Sequence, residues 1–270
     1  MFLIKIGGDE NLNFSAICND IASLWKKYPG QLIVVHGASK FRNRLAQQLG
    51  IPIRTITSTS GITSYFSDEN FMKVFLMAYA GWINKKLVSL LIKNDVKAVG
   101  LSGIDGEIWL AERKKYLYVK EGNKIKLITG DLSGKIKKVN IKLLKILLSY
   151  RYLPVICSPA VSNQGEILNV DNDAAVFQLV KSLKIKTLIY LISAKGLLKD
   201  FNNPNSLVKE IRFFELDSFL NSAEGTMKKK IIYTKMSFEH GLKKAFFGDG
   251  RVNYPIRKLL LEQKGTVITL

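Results

Sequence analysis

LIVVHGASKF, residues 32 to 41, holds the reading that decides the fold. Leu32 to His36 form an apolar run of strand length, and a helical pattern over 39 to 49 begins almost at once. Between them stand only small residues, Gly37, Ala38 and Ser39. A strand that passes into a helix through such a turn is the building unit of an open α/β sheet. Small residues let the backbone come close to a ligand, and the helix N-terminus behind them favours negative charge.

Reading outward, the same alternation recurs. Buried-strand patterns occupy 2 to 6, 32 to 36, 97 to 101, 153 to 158, 187 to 193 and 244 to 249. Helix-length amphipathic patterns occupy 14 to 27, 39 to 49, 69 to 94, 140 to 150, 172 to 183 and 226 to 240. This predicts a mainly parallel sheet covered by helices on both faces. The stretch 116 to 128 differs: two alternating runs flank Glu121-Gly122-Asn123 and predict a hairpin on the sheet edge.

With 270 residues, 47% hydrophobic and 23% charged, the chain suits one α/β domain or two packed lobes. Its N-terminal apolar stretch, FLI, is too short for a signal peptide, and no apolar run approaches the ~20 residues of a membrane span. A cytoplasmic protein is therefore expected. Cys18 and Cys157 lie in apolar patterns without metal-type spacing and read as core thiols, so no structural metal site is expected.

The net charge of +19 raises a nucleic-acid partner. Between Arg113 and Arg151 there are 12 basic residues against 2 acidic ones, Glu121 and Asp131. Few aromatics accompany them, and no helix-turn-helix or zinc-finger pattern is present, so nucleic acid is not the expected partner. Either compositional richness in Lys, Ile and Asn or a selected acidic partner accounts for the excess.

Ligands of an open α/β sheet gather at the carboxyl ends of its strands. There the sequence offers Lys5, Gly7 and Gly8, then Gly37 to Ser39, then NVDNDAA (169 to 175), then SAKGLL (193 to 198). Glycine turns for phosphate, lysines for charge and carboxylates to orient them suit phosphoryl chemistry. GDLSGKI (130 to 136) is not a P-loop: only three residues separate Gly130 from Gly134, and Ile136 stands where Ser or Thr would hold magnesium. Protein-kinase loops are missing too. Singly, each residue has a plainer reading: Lys5 as a snorkelling edge residue, Asp171 and Asp173 as helix N-terminal acids, Lys228 to Lys230 as a solvated face.

Their order along the chain is more specific. KIGG (5 to 8), VVHGAS (34 to 39), AGWINKKLV (80 to 88), AVGLSGIDG (98 to 106), LPVI (153 to 156), NVDNDAA (169 to 175), EGTMKKK (224 to 230) and GTVI (265 to 268) together resemble the amino acid kinase superfamily. Within it they resemble the acetylglutamate kinase branch, and TSTSGITSYFSD (57 to 68), GIDG and AERKK (111 to 115) are similar to its [LysW]-aminoadipate/glutamate kinases.

The resemblance implies a three-layer αβα sandwich around a mainly parallel sheet, the carbamate kinase-like fold, as a single domain over 1–270. An acyl-substrate lobe would cover 1–155 and an ATP lobe 156–270. It implies catalytic Lys5 and Lys230, oriented by Asp173. Gly37, Ala38, Ser39, Tyr65 and Asn169 would bind substrate. Gly7, Gly8, Ser193, Lys195, Gly196, Gly225, Met227 and Lys230 would bind ATP, with Mg2+ accompanying the nucleotide. No histidine base is needed, because a substrate carboxylate is already ionised.

Three departures bear on the substrate. Ala38 and Ser39 replace glycines of the family's His-Gly-Gly-Gly, so two side chains are expected to project there. Tyr65 stands where an arginine would grip the substrate carboxylate, and Ala194 replaces an aspartate of the nucleotide segment.

The expected activity is ATP-dependent phosphorylation of the side-chain carboxylate of an amine-blocked acidic amino acid. The blocking group would be the acidic LysW carrier protein, in lysine or arginine biosynthesis. N-acetyl-L-glutamate is the alternative substrate, and a non-catalytic nucleotide or amino-acid sensor is the alternative of another class. A homodimer is expected through the helix around Trp82, whose other reading is a core helix.

Overall fold

The computed structural model describes residues 1–270 except 60, 62, 123, 201, 202, 204, 223 and 224, and describes 221 and 222 without their side chains. Eight strands form the central sheet: β1 (Phe2–Ile6), β2 (Leu32–His36), β3 (Ala98–Ser102), β4 (Leu153–Cys157), β5 (Thr187–Ile192), β6 (Glu210–Arg212), β7 (Lys244–Asp249) and β8 (Thr266–Thr269). Their order is β6-β8-β7-β5-β1-β2-β4-β3. From β7 to β3 all neighbours are parallel, β8 runs antiparallel to β7, and β6 pairs parallel with β8. The chain thus winds outward from β1 in both directions, which makes the carboxyl end of β1 the switch point where ligands bind in such sheets.

Burial explains why these runs are strands. All five residues of β2 and all five of β4 are buried, as expected when helices cover both faces. The helices are α1 (Phe14–Lys27), α2 (Ser39–Gln48), α3 (Glu69–Ile92), α4 (Ile141–Ser149), α5 (Asn172–Leu183), α6 (Leu216–Ser222), α7 (Gly225–Glu239) and α8 (Pro255–Leu261). Helix α1 packs against α3 and α8, while α7 packs against α5 and α6. The whole is the three-layer αβα sandwich that the sequence predicts. Side-chain caps begin α1 (Asn13), α3 (Asp68), α4 (Asn140) and α5 (Asp171). Helix α2 has none: its cap position is Ala38 and its first turn holds no acid.

Within α3 the helix widens into a π-helical stretch over Met77–Ile83 before resuming at Asn84. By length and composition α3 would also suffice to cross a membrane. Here Phe71, Met72, Phe75, Ala78, Ile83, Leu87 and Leu91 are buried in the core, so it is a core helix on one side. Met77, Trp82 and Ile92 are exposed on it.

Smaller sheets flank the sandwich. Trp109–Arg113 pairs with Gly134–Val139 and with Ala160–Val161, which in turn pairs with Ile167–Leu168. Leu117–Glu121 and Lys124–Ile128 form the expected hairpin, though not on the central sheet. It is a sheet of two strands, tied by a bridge from Val119 to Ser58 beside the pair Thr55–Thr57 and Thr63–Tyr65. Asn123 of its turn lies outside the described residues. Both cysteines are free and buried, as expected, and burial pushes the Cys18 thiol up to about 12.

Candidate active site

The centre of the site is a buried charge cluster at the carboxyl end of β1. Lys5 sits in the middle of the sheet, paired in register with Tyr190 of β5 and Val35 of β2, and is 4% exposed. That placement rules out the snorkelling edge residue. Its ammonium donates to the Ile6 carbonyl at 3.1 Å. Burial pushes its pKa down to about 8; Asp173 and Asp171 oppose this, and Lys230 adds to it.

The acids come from the start of α5 and the other lysines from α7. Asp171 caps α5, accepting from the amides of Asp173 and Ala174 at 2.8 and 3.2 Å. Lys229 bonds Asp171 at 3.2 Å, and Lys230 bonds Asp173 at 2.9 Å. The second Asp173 oxygen, Oδ1, is buried with no hydrogen-bond partner among the described residues. An unsatisfied carboxylate oxygen in the field of a half-bonded buried ammonium is expensive for a fold and signals function rather than stability.

Two backbone turns close over Lys5. A Cβ on Gly37 would lie 3.1 Å from the Gly8 backbone and 3.4 Å from the Lys5 ammonium. One on Gly8 would meet the Ser39 amide and hydroxyl at 2.7 Å, so only glycine lets these turns touch. Ser39 donates its hydroxyl to the Gly8 carbonyl at 3.3 Å, and Ala38 is 2% exposed. Ala38 is thus packed inside, while half-buried Ser39 turns its hydroxyl back toward Gly8. The Gly7 amide is also taken, bonded to the Leu191 carbonyl at 2.8 Å, and the Gly37 amide bonds the Ile6 carbonyl at 3.0 Å. The Gly8 and Ser39 amides have no acceptor among the described residues. Together with the uncapped start of α2 they offer an anion its N–H groups.

His36, for which the sequence gives no role as a base, is held inside the fold. It is fully buried, with Nε2 accepting from the Asn84 amide at 3.1 Å and Nδ1 facing the Gly37 carbonyl at 3.3 Å. Burial holds its pKa down to about 3, so it stays neutral and anchors the turn. Asn84, which the sequence reading passed over, follows the π-helical stretch and also donates to the Val155 carbonyl at 3.0 Å.

The remaining expected residues are placed as follows. Tyr65 lies on its short strand with its hydroxyl accepting from the Asn43 amide at 3.2 Å. Asn169 donates to the Ser67 hydroxyl at 2.9 Å, and buried Asp131 accepts from the Ser67 and Ser133 amides at 2.8 and 2.7 Å. Ser193 to Gly196 follow β5; a Cβ on Gly196 would press on Thr266 at 2.7 Å. Gly225 and Met227 lie in the first turn of α7, which carries Lys230. Among the described residues no three His, Cys, Asp or Glu side chains form a metal site.

A family model described as "Amino acid kinase family" matches residues 1–246. The chain belongs to the amino acid kinase family. Among relatives of this family member, the [LysW]-aminoadipate kinase of Deinococcus radiodurans is 39% identical over 100% of this chain and 91% of its own. The [LysW]-aminoadipate kinase of Thermus thermophilus is 38% identical over 99% and 100%. In fold the amino acid kinase chain is similar to N-acetylglutamate synthase from Neisseria gonorrhoeae, with a TM-score of 0.79 at 21% identity. It spans 59% of that longer chain. Carbamate kinase from Giardia lamblia bound to AMP-PNP has a TM-score of 0.67 at 15% identity, covering 99% of this chain and 97% of that one.

The Lys5 shift has a measurable consequence for this site. The Lys5 charge is lost as pH rises through about 8, so a kcat/KM that depends on this charge to hold an anion is expected to fall above that pH. Stability moves the other way. The folded pKa lies below the unfolded one, near 10.5, so below pH 8 folding holds a buried cation at a cost of about 3 kcal/mol, relieved as pH rises from 8 toward 10.5. A pH profile with no alkaline limb between 7 and 9 would show that Lys5 is not needed in its charged form.

Proposed function

We propose that this chain is an ATP-dependent kinase that phosphorylates the side-chain carboxylate of LysW-linked aminoadipate or glutamate, giving an acyl phosphate in lysine biosynthesis. The observation that carries this reading is the meeting of Lys5, Asp173 and Lys230 beneath two glycine turns. The relatives of 39% and 38% identity supply the substrate class.

Phosphoryl transfer asks a protein for alignment and for positive charge on the equatorial oxygens in flight. Lys5 from β1 and Lys230 from α7 supply that charge from two elements, and Asp173 holds Lys230 in place. The Gly8 and Ser39 amides present N–H groups to the transferring phosphoryl. Gly37 and Ser39 line the substrate side together with Tyr65 and Asn169, and Ala38 acts from beneath the turn. Ser193, Lys195, Gly196, Gly225 and Met227 flank the nucleotide. Gly7 contributes by packing, since its N–H is taken. The attacking carboxylate is ionised at neutral pH, so no base is required, and neutral His36 is not one. Mg2+ would arrive on the ATP phosphates and neutralise part of their charge.

On this reading 1–155 is the acyl lobe and 156–270 the ATP lobe of a cytoplasmic homodimer, with the Trp82 face of α3 between copies. Retention of buried Lys5 together with half-buried Lys230 argues against a non-catalytic sensor, which would have no use for a desolvated cation.

The test is an ADP-release assay with LysW-linked aminoadipate, LysW-linked glutamate and N-acetylglutamate side by side. Turnover on a carrier-linked acid is expected to exceed that on N-acetylglutamate, and turnover on none would refute the kinase. The basic strand Gly134–Val139 adds a sharper check. Lys137 already bonds Glu112 at 2.6 Å, whereas exposed Lys135 and Lys138 have no ion pair among the described residues. Lys135→Glu with Lys138→Glu should slow association with an acidic carrier about tenfold and leave N-acetylglutamate kinetics unchanged. Equal effects on both substrates would assign these lysines to local stability.

A further inference from the structure

Arg42 lies near the substrate turn and has no part in the proposed transfer. It lies on α2, a single turn beyond Ala38, whose carbonyl accepts from the Arg42 amide at 2.8 Å. Only 3% of the residue is exposed, yet no carboxylate pairs with it among the described residues. Its guanidinium stacks over Tyr65 at 4.1 Å from the ring centroid and near Phe71 at 4.8 Å. Nε and Nη2 both donate to one neutral acceptor, the Asn43 amide oxygen, at 3.1 and 2.6 Å. Nη1 has no hydrogen bond among the described residues. By contrast Arg44, two residues on, is exposed and pairs with Glu10 at 2.6 Å.

A buried cation is normally paired, because desolvation penalises it heavily when it is alone. Aromatic stacking offsets part of that penalty and fixes the plane of the guanidinium, but supplies no counter-charge. The position compounds the problem: Arg42 and Lys40 both sit in the first turn of a helix that has no acidic residue there and no side-chain cap. Tyr79 locates the cluster. Burial raises the pKa of its hydroxyl, while the Arg42 charge and the Ala38 N–H pull it back, so the guanidinium and the substrate turn meet at the same buried phenol.

We propose that Arg42 holds the substrate carboxylate that does not react, with Tyr65 and Phe71 as the platform that keeps its fork in plane. The inference rests on the reading of this protein as a kinase of an amine-blocked acidic amino acid. Such a substrate carries two carboxylates: one attacks phosphorus, and the other, beside the blocked amine, must be held still without competing for Lys5 and Lys230. A guanidinium fork is the side chain that recognises a carboxylate in two-point fashion. Tyr65 is then a support for the arginine, not a substitute for it.

The test compares two carrier-linked acids, aminoadipate and 5-aminopentanoate, which lacks the non-reacting carboxylate. Wild-type protein is expected to favour the first by about 10²-fold in kcat/KM. Arg42→Met should raise KM for aminoadipate by about 10²-fold with little change in kcat, and leave 5-aminopentanoate unaffected. Arg42→Lys, which keeps a point charge without the fork, should lose about tenfold on the first substrate alone, and it preserves a readout if the methionine variant folds poorly. Calorimetric titration of both acids without ATP should show the same pattern. An equal loss on both acids would make Arg42 a structural clamp and overturn the inference while leaving the kinase intact. No turnover of either acid by wild-type protein would overturn the kinase reading, and this inference with it.

Discussion

Lys5→Met is expected to lower kcat by 10²- to 10³-fold while leaving the melting temperature unchanged or higher. Lys5 stands mid-strand in β1 between β5 and β2 and is 4% exposed, so any cation there is held against its own desolvation. Methionine nearly matches its length and volume, fills the same slot, and removes the buried charge. On the proposed reading, what is lost is positive charge at the phosphoryl group, which acts mainly in the transition state and therefore falls on kcat. Lys230→Met should cost similar activity but behave differently in stability. It strands Asp173, one of whose oxygens already has no partner among the described residues, and is expected to lower the melting temperature. Circular dichroism melts with single-turnover rates separate the two effects. Near-normal turnover in Lys5→Met would remove Lys5 from the chemistry and with it the kinase reading.

That contrast between two lysines is invisible in the sequence, although much else there is legible. The strand over 2 to 6 and the helices over 14 to 27 and 172 to 183 are recovered end for end, because long periodic runs with a side-chain cap leave few alternatives. The pairs Ala160–Val161 and Ile167–Leu168 are two residues each, too short for any period to register. The hairpin at 117 to 128 shows its alternation, but alternation says nothing about which sheet a strand joins.

The site divides the same way. Lys5 stands in a strand and Asp173 and Lys230 near helix starts that local pattern reveals, and the structure brings the three together; the roles proposed for them rest on the family resemblance. Arg42 escapes: SKFRNRLAQQ reads as an ordinary polar helix. Its burial comes from Tyr65 and Phe71, both more than twenty residues later in the chain. The anchoring of His36 escapes as well, since its ring nitrogen is held by Asn84, forty-eight residues later in the chain. Gly7 and Gly8 are alike in sequence, but one amide is taken by the neighbouring strand and the other has no acceptor among the described residues.

Asp173→Asn should reduce kcat at pH 7.5 by about 10²-fold and also move the alkaline limb of the pH profile downward, a combination that loss of folding cannot mimic. Asn keeps the shape of the side chain, and α5 keeps its cap because Asp171 makes those bonds. Lys230 loses its anionic partner at 2.9 Å and with it a fixed position, which accounts for the fall in rate. The shift in the limb comes from Lys5. Burial lowers its pKa to about 8, Asp173 is the largest influence raising it, and Lys230 lowers it further. Without the carboxylate both depressing influences act unopposed by Asp173, so Lys5 gives up its proton at a lower pH than in the wild-type protein. The variant should therefore recover part of its activity when assayed near pH 6, where Lys5 is again charged, whereas wild-type kcat/KM changes little between pH 6 and 7. Profiles of kcat/KM from pH 5.5 to 9 on both proteins decide the matter. An alkaline limb that stays at the wild-type pH in Asp173→Asn would mean that Lys5 and Asp173 do not sense each other. The site would then have to be built around Lys230 alone.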